Sequence, residues 1–343
     1  MKKVKVAIVG ASGYAGEELV RLLLTHPHAD LIAVTSRQYA GQTLAQIFPR
    51  FAHHPKAKSL RFTDPNVELF AEKVEVVFLA LPHGVAAEYA VSLVHIGRKV
   101  IDLSADFRLK SAALYEEFYA HPHPAPALLA KSVYGLPERY RKEIKQAQLV
   151  ACPGCYPTSI LVPTLPLLKA KLIRPQSIIA DSLSGVTGAG RKVEVDYLFA
   201  ECNESVRPYG IPKHRHLSEL EQELSLVAGE KVTMQFTPHL IPVNRGILTT
   251  LYLEPLGTPD QIREALQTAY LDEPFVRLLA GKDLPDTKNV VGTNFIDIAW
   301  RHDPRTNRLI VMSVEDNIVK GTSGQAIQCF NIMNDFPETT GLI

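Results

Sequence analysis

Val4-Lys5-Val6-Ala7-Ile8-Val9-Gly10-Ala11-Ser12-Gly13-Tyr14-Ala15-Gly16-Glu17-Glu18-Leu19-Val20-Arg21-Leu22-Leu23 is the stretch whose reading decides the fold. A short apolar run ends in Gly10, Gly13 and Gly16 follow at intervals of three, and Leu19, Leu22 and Leu23 then share one helix face. Glycines let the backbone turn tightly and approach a pyrophosphate, whose charge meets the free N–H groups and positive dipole end of the helix. The spacing is G-x-x-G-x-x-G rather than G-x-G-x-x-G, so a glycine turn that only packs helix on sheet competes with nucleotide binding. The flanking strand and helix favour the nucleotide.

Outward from this turn, Leu31 to Thr35, Val74 to Ala80 and Lys99 to Leu103 read as strands, with helical patterns at Glu17 to Thr25 and Val85 to Ile96. Strand alternating with helix predicts a parallel, doubly wound sheet. The second strand ends in Val34-Thr35-Ser36-Arg37, without the Asp or Glu that would accept from the ribose hydroxyls of NAD. A hydroxyl and a guanidinium there suit a 2′-phosphate, so NADP(H) is the expected cofactor. Gly10, Ser12, Gly13, Tyr14, Ala15, Gly16, Ser36 and Arg37 are its expected contacts, and the loop Leu81-Pro82-His83-Gly84, after another strand, lines the same cleft through Pro82.

The chain has 343 residues, enough for two domains. Pro122, Pro124 and Pro126 punctuate a connecting stretch, and beyond residue 148 strands follow one another closely: Ser177 to Leu183, Lys231 to His239, Gly246 to Glu254, Asn294 to His302 and Arg308 to Val314. The expected organisation is residues 1–148 as an α/β nucleotide domain, 149–314 as an α+β domain with a mixed sheet, and 315–343 as a C-terminal segment with a helix at Gly324 to Asn334. A second helix is read at Ser218 to Val227, with Ser218 and Glu221 as its capping box.

Hydrophobic residues make up 46% and charged ones 21%, which excludes disorder and coiled coil as overall descriptions. Lys and Arg number 37 against 36 Asp and Glu, so there is no global field to attract nucleic acid or a membrane surface. No apolar run reaches the ~18 to 20 residues of a membrane helix, and the first ten residues lack an export signature, which makes the expected location cytoplasmic.

Four cysteines, Cys152, Cys155, Cys202 and Cys329, are too few and too scattered for a disulfide framework. Ala151-Cys152-Pro153-Gly154-Cys155-Tyr156-Pro157-Thr158 joins a strand to an apolar helix, read as Ser159 to Leu168. A thiol there meets helix N-terminal N–H groups, which lower its pKa and supply donors for an oxyanion, and Cys155 is the better placed nucleophile. A dithiol redox pair, or half of a zinc site completed by His214 and His216, are the rival readings of Cys-x-x-Cys; His-x-His is tighter than the usual zinc spacing, and no metal is expected. His216, with Glu219 three residues on to orient it, is the expected acid/base, and His214 the alternative. Asp181 to Arg191 is a Gly/Ser-rich loop able to wrap a ligand.

Taken with Asp102-Leu-Ser-Ala-Asp-Phe-Arg108, Ser184-Gly-Val-Thr-Gly-Ala-Gly-Arg191, His214-Arg-His216 and Lys320-Gly-Thr-Ser-Gly-Gln325, these motifs resemble the N-acetyl-gamma-glutamyl-phosphate reductases over nearly the whole chain. The resemblance implies a Rossmann NADP domain, a second domain whose large mixed sheet makes subunit contacts, and a C-terminal helix that returns to the first domain. It implies NADPH-dependent reduction of an acyl phosphate to an aldehyde through a Cys155 thioester, in a homodimer or homotetramer. It also implies that Ser184, Gly185, Gly188 and Asn317 touch the cofactor and that Arg108 and Arg191 hold the substrate. A carrier-protein-linked aminoadipyl-phosphate reductase and a non-catalytic NADP sensor are the alternatives, since fold alone does not give function.

Overall fold

The computed structural model describes residues 3–67, 70, 72–191 and 193–343. They form two compact units, Met1–Pro153 together with Thr322–Ile343, and Gly154–Gly321.

The first unit is built on seven strands: β1 Val4–Val9, β2 Ala29–Thr35, β3 Phe62–Thr63, β4 Val76–Leu79, β5 Lys99–Asp102, β6 Ser132–Tyr134 and β7 Leu149–Ala151. All pair in parallel, in the order β3-β2-β1-β4-β5-β7-β6. Alternation along β1 feeds two cores. Val6 and Ile8 pack with Leu19, Leu23, Ile327 and Phe330, whereas Ala7 and Val9 pack with Ala86, Ala90 and Leu93. Helices therefore cover both faces, as the doubly wound reading requires. The C-terminal helix Gly324–Met333 is buried along its whole length and belongs to the first core. The strand order reverses between β2 and β4, on either side of β1, so the glycine turn after β1 sits at the switch point where such sheets bind ligands.

The second unit has β8 Ile179–Gly185, β9 Arg207–Pro208, β10 Gln235–Ile241, β11 Ile247–Leu253, β12 Val276–Leu278, β13 Ile296–Asp303 and β14 Arg308–Glu315. They form one mixed sheet in the order β12-β13-β14-β11-β8-β10-β9, parallel only at β8/β10 and β12/β13. The helix Cys155–Lys169 packs on it and is almost wholly buried. It carries Pro163 and Pro166 in its interior, which each remove a donor for the carbonyl four residues earlier. Both orphaned carbonyls find hydroxyls: Ser313 Oγ donates to Ser159 O at 2.6 Å, and Tyr270 Oη donates to Val162 O. Ser159 Oγ and Ser182 Oγ also meet Thr249 Oγ1, each at 2.7 Å. The prolines thus help fasten this helix to its neighbours.

Two helix starts differ from the sequence reading. The thiol helix begins at Cys155 rather than Ser159, because a first turn tolerates Pro157. The second begins at His216 rather than Ser218. Ser218 Oγ donates to Arg215 O at 2.8 Å instead of capping, and Glu221 Oε1 accepts from Met234 N at 3.2 Å, so there is no capping box. Among the described residues no helix is long and apolar enough to cross a membrane.

Candidate active site

In the first unit the three glycines of the turn have separate jobs. Gly10 adopts φ +86°, and a Cβ there would strike the Ala80 carbonyl. Gly16 lets the helix Tyr14–Thr25 press on the turn, since its Cβ would lie 2.5 Å from Gly10 O. Gly13 caps that helix through no side chain, and nothing lies within 4 Å of its missing Cβ. That open space at a helix N-terminus, next to Tyr14 and Ala15 in the first turn, fits a pyrophosphate.

At the end of β2, Thr35 Oγ1 accepts from Gly10 N at 3.2 Å, and Ser36 Oγ meets Ser12 Oγ at 3.0 Å. Arg37 is exposed and makes no hydrogen bond or ion pair among the described residues. A guanidinium in the open beside two hydroxyls, with no carboxylate at that strand end, fits a ribose 2′-phosphate. Pro82 is exposed just after β4; Gly84 N and Ala87 N of the following helix start are held by Asp106 at 2.7 and 2.9 Å. Arg108, read from the sequence as a substrate ligand, is buried, with Nε donating to Cys152 O at 2.7 Å and Nη2 to Leu103 O at 3.0 Å. Two of its donors thereby serve the main chain. Asp102 of the same motif is fully buried beside Asp106, and burial pushes its carboxyl up to about 7.

In the second unit two helix N-termini meet. Cys155 is the first residue of one helix and His216 the first of the other. Gly154, the N-cap of the thiol helix, lies flat against the His216 ring: a Cβ there would sit 2.5 Å from Nε2, 2.8 Å from Cε1 and 2.9 Å from Cδ2. Glu219, buried one turn below His216, accepts the Gly154 N–H at 2.8 Å and so ties the two helix starts together. Gly321 approaches from the other side, where a Cβ would be 2.8 Å from Cys155 Cβ and 2.9 Å from Glu315 Oε1.

His214 has a different task from His216. Its Nδ1 accepts the His216 backbone N–H at 3.1 Å, which caps the helix start. Burial, then the neighbouring Arg215, lowers its pKa to about 4, so the ring stays neutral near pH 7. Tyr156, Phe236 and Tyr209 surround it edge to face. Tyr156 Oη and Tyr209 Oη share a hydrogen bond of 2.8 Å, and burial drives both phenols upward, which keeps them protonated.

These groups open onto a cavity of about 240 Å³, lined among others by Cys155, Tyr156, Tyr209, His214 and His216. Ser184, Gly185 and Gly188, three of the residues for which the family resemblance implies cofactor contact, line it as well. Asn317, from the same expectation, is buried and braces that loop: Oδ1 accepts from Gly246 N and Nδ2 donates to Thr187 Oγ1, both at 2.9 Å. Arg191 is exposed and does not line the cavity. Two arginines that sequence reasoning passed over do: Arg215, which reads as a spacer between the histidines, and Arg207, held by Asp196 at 3.0 Å. None of the four cysteines is joined in a disulfide. Among the described residues no group of three or more His, Cys, Asp or Glu is arranged to hold a metal. A thiol at a helix N-terminus, an imidazole and two arginines around a small cavity suit nucleophilic attack on an anionic acyl compound.

Comparison with known proteins agrees with this chemistry. Residues 5–147 match the semialdehyde dehydrogenase NAD binding domain, and residues 155–317 the semialdehyde dehydrogenase dimerisation domain. An N-acetyl-gamma-glutamyl-phosphate reductase of Akkermansia muciniphila is 58% identical, with 100% of this chain and 99% of that protein covered. One from Syntrophobacter fumaroxidans is 48% identical over 98% of this chain and 97% of its own length. Among solved structures, aspartate semialdehyde dehydrogenase II of Vibrio cholerae complexed with ASA superposes with a TM-score of 0.74 at 18% identity, covering 98% of this chain and 99% of that one. The Candida albicans aspartate semialdehyde dehydrogenase solved with NADP gives 0.73 at 15% identity, over 96% and 98%. At such identities the structures speak for the fold.

Proposed function

We propose, for a chain that belongs to the N-acetyl-gamma-glutamyl-phosphate reductase family, that it reduces N-acetyl-gamma-glutamyl phosphate to N-acetylglutamate 5-semialdehyde and phosphate with NADPH. The observation that carries this reading is the junction of two helix starts, with Cys155 at one, His216 at the other and the bare Gly154 packed on the His216 ring.

The Cys155 thiolate, favoured by the N–H groups of its helix, attacks the acyl carbon; the C–S bond forms, the C–O bond to phosphate breaks, and phosphate leaves with that electron pair. A thioester accepts hydride more readily than a carboxylate, so one hard conversion becomes two easier ones. NADPH, when bound, supplies the hydride. Protonated His216 lends its proton to the oxyanion left by hydride addition and takes it back as the C–S bond breaks, which frees the aldehyde and returns the thiolate. His214 stays neutral with Nδ1 engaged, so it positions His216 rather than exchanging protons. Glu219 holds the alignment by anchoring Gly154. Arg215 and Arg207 are assigned to the anionic groups of the substrate, and Arg37 to the 2′-phosphate of NADP(H).

The chain acts as a homo-oligomer in this reading. The sheet face turned away from the thiol helix carries Ile179, Leu183, Ile241, Tyr252, Ile310 and Met312, all partly or well exposed, which suits contact with a second copy.

The test is phosphate-dependent NADP⁺ reduction with N-acetylglutamate 5-semialdehyde, on the wild type and Cys155→Ser. Activity in the wild type and its loss in the variant are expected. Equal rates would remove the thioester route.

A further inference from the structure

Glu315 carries a fully buried carboxyl group that the reaction above leaves without a task. It ends strand β14, whose inward positions are Leu309, Val311, Ser313 and Glu315. Ser313 Oγ donates to Ser159 O of the thiol helix. Two residues of strand and one turn of helix each cover about 6 Å, so the next inward side chain of β14 meets the start of that helix. That start is Cys155. Gly321, carried by the π turn Val319–Ser323, shows how near the two groups come: a Cβ on it would lie 2.8 Å from Cys155 Cβ and 2.9 Å from Glu315 Oε1 at once.

The charged groups around this corner come from four elements. Asp316, next on β14, is engaged: Oδ1 accepts from Ile318 N and Val319 N at 2.7 and 3.1 Å, Oδ2 accepts from Gly292 N at 2.7 Å, and Arg245 stands 3.5 Å from it. Ile247 and Ile296, opposite Glu315 on β11 and β13, are apolar. The π turn brings Lys320, which has no exposed surface and places Nζ 5.8 Å from the centre of the Phe275 ring. The helix that starts at His216 packs that ring on Gly154 and holds the Gly154 N–H with Glu219, and so brings one potential charge of each sign. On the cavity side of the thiol stand Arg207, Arg215 and Asp196. Inside the corner, one buried ammonium balances one anion. A carboxylate and a thiolate side by side at low dielectric repel, so the ionisation of one suppresses that of the other.

We propose that Glu315 is a positioning residue for the nucleophile: it and Cys155 hold a single proton between them beside Lys320, so that the carboxyl group is neutral whenever the sulfur is a thiolate. As the thiolate forms, the S–H bond breaks and an O–H bond forms on the carboxylate; the negative charge passes to sulfur and the net charge of the corner is unchanged. That constancy spares the corner a second uncompensated charge. The inference rests on Cys155 as the nucleophile assigned above and adds the group that sets its charge.

The test follows alkylation of Cys155 by iodoacetamide against pH, located at that residue by fragment-ion mass spectrometry, in the wild type, Glu315→Gln and Glu315→Asp, with thermal unfolding of each. Glutamine keeps the shape and removes the charge, so the midpoint of alkylation should fall by at least about one pH unit and the profile should lose one of its steps, while Glu315→Asp retains them. A folded Glu315→Gln with the wild-type profile overturns the proposal and leaves Glu315 a packing role alone. Should Glu315→Gln not fold, infrared difference spectra of the wild type against Cys155→Ser decide, at a pH where Cys155 alkylates: the carbonyl stretch of a protonated carboxyl group is expected in the wild type only, and its absence overturns the proposal. A wild type without the reductase activity would refute the assigned reaction, yet the alkylation profile would still decide this proposal.

Discussion

Replacing Gly154 by alanine puts one methyl group into the junction on which the site depends. The new Cβ would lie 2.5 Å from His216 Nε2, 2.8 Å from Cε1 and 2.9 Å from Cδ2. Three atoms of one rigid ring are too close together, so no rotation about a single bond relieves the clash, and the imidazole must retreat by roughly 1 Å to reach van der Waals distance. A misplacement of ~1 Å at a reacting centre costs on the order of a hundredfold in rate, whereas overpacking at one site costs about 1–3 kcal/mol of stability. Gly154→Ala should therefore remain folded, with kcat reduced on the order of a hundredfold and KM for the semialdehyde changed far less. Stopped-flow or steady-state NADPH fluorescence gives the rates, and thermal unfolding checks the fold. A folded variant with kcat within twofold of wild type would refute the claim that His216 must sit against the thiol helix start.

Three further predictions rest on separate features. Tyr270→Phe leaves the Val162 carbonyl, freed by Pro166, without its hydroxyl donor; it should lower unfolding free energy by about 1–3 kcal/mol in urea titrations with kcat little changed. His214 has a folded pKa of about 4 against 6.5 unfolded, so the unfolded chain takes up its proton first. The stability it contributes is whole above pH 6.5 and falls as pH drops toward 4, by up to about 3 kcal/mol, and His214→Gln should flatten that part of the stability profile relative to wild type. Arg37→Ala should raise KM for NADPH roughly tenfold while leaving KM for NADH within twofold, as measured by initial rates with each cofactor.

The sequence discloses the first unit well because its signals are local. An apolar strand, three glycines and a leucine face lie within a single span, Val4 to Leu23, and the alternation of β1 shows directly as two cores. Strands β3, β6, β9 and β12 escape notice because two or three residues cannot display a period of two. The helix at His216 is misplaced by two residues because Ser218 and Glu221 have the right spacing for a cap, while the true cap acceptor is the imidazole of His214, a residue type that propensity does not favour there. Cys155, His216 and Glu219 can be picked out as candidates from residue type and position, but the bond that joins them, Glu219 to Gly154, spans sixty-five positions and leaves no trace in spacing. Arg207 and Tyr209 are hidden for the same reason. They reach the cavity on a strap without periodicity, whose place depends on pairing with a strand read only later in the chain.

The most direct test of the thioester is the mass of the enzyme itself. Incubated with N-acetyl-gamma-glutamyl phosphate and no NADPH, the wild type should gain one N-acetylglutamyl group, located on the peptide that holds Cys155 and discharged when NADPH is added. An enzyme that turns over yet stays unmodified, or carries the acyl group on another residue, would contradict the account.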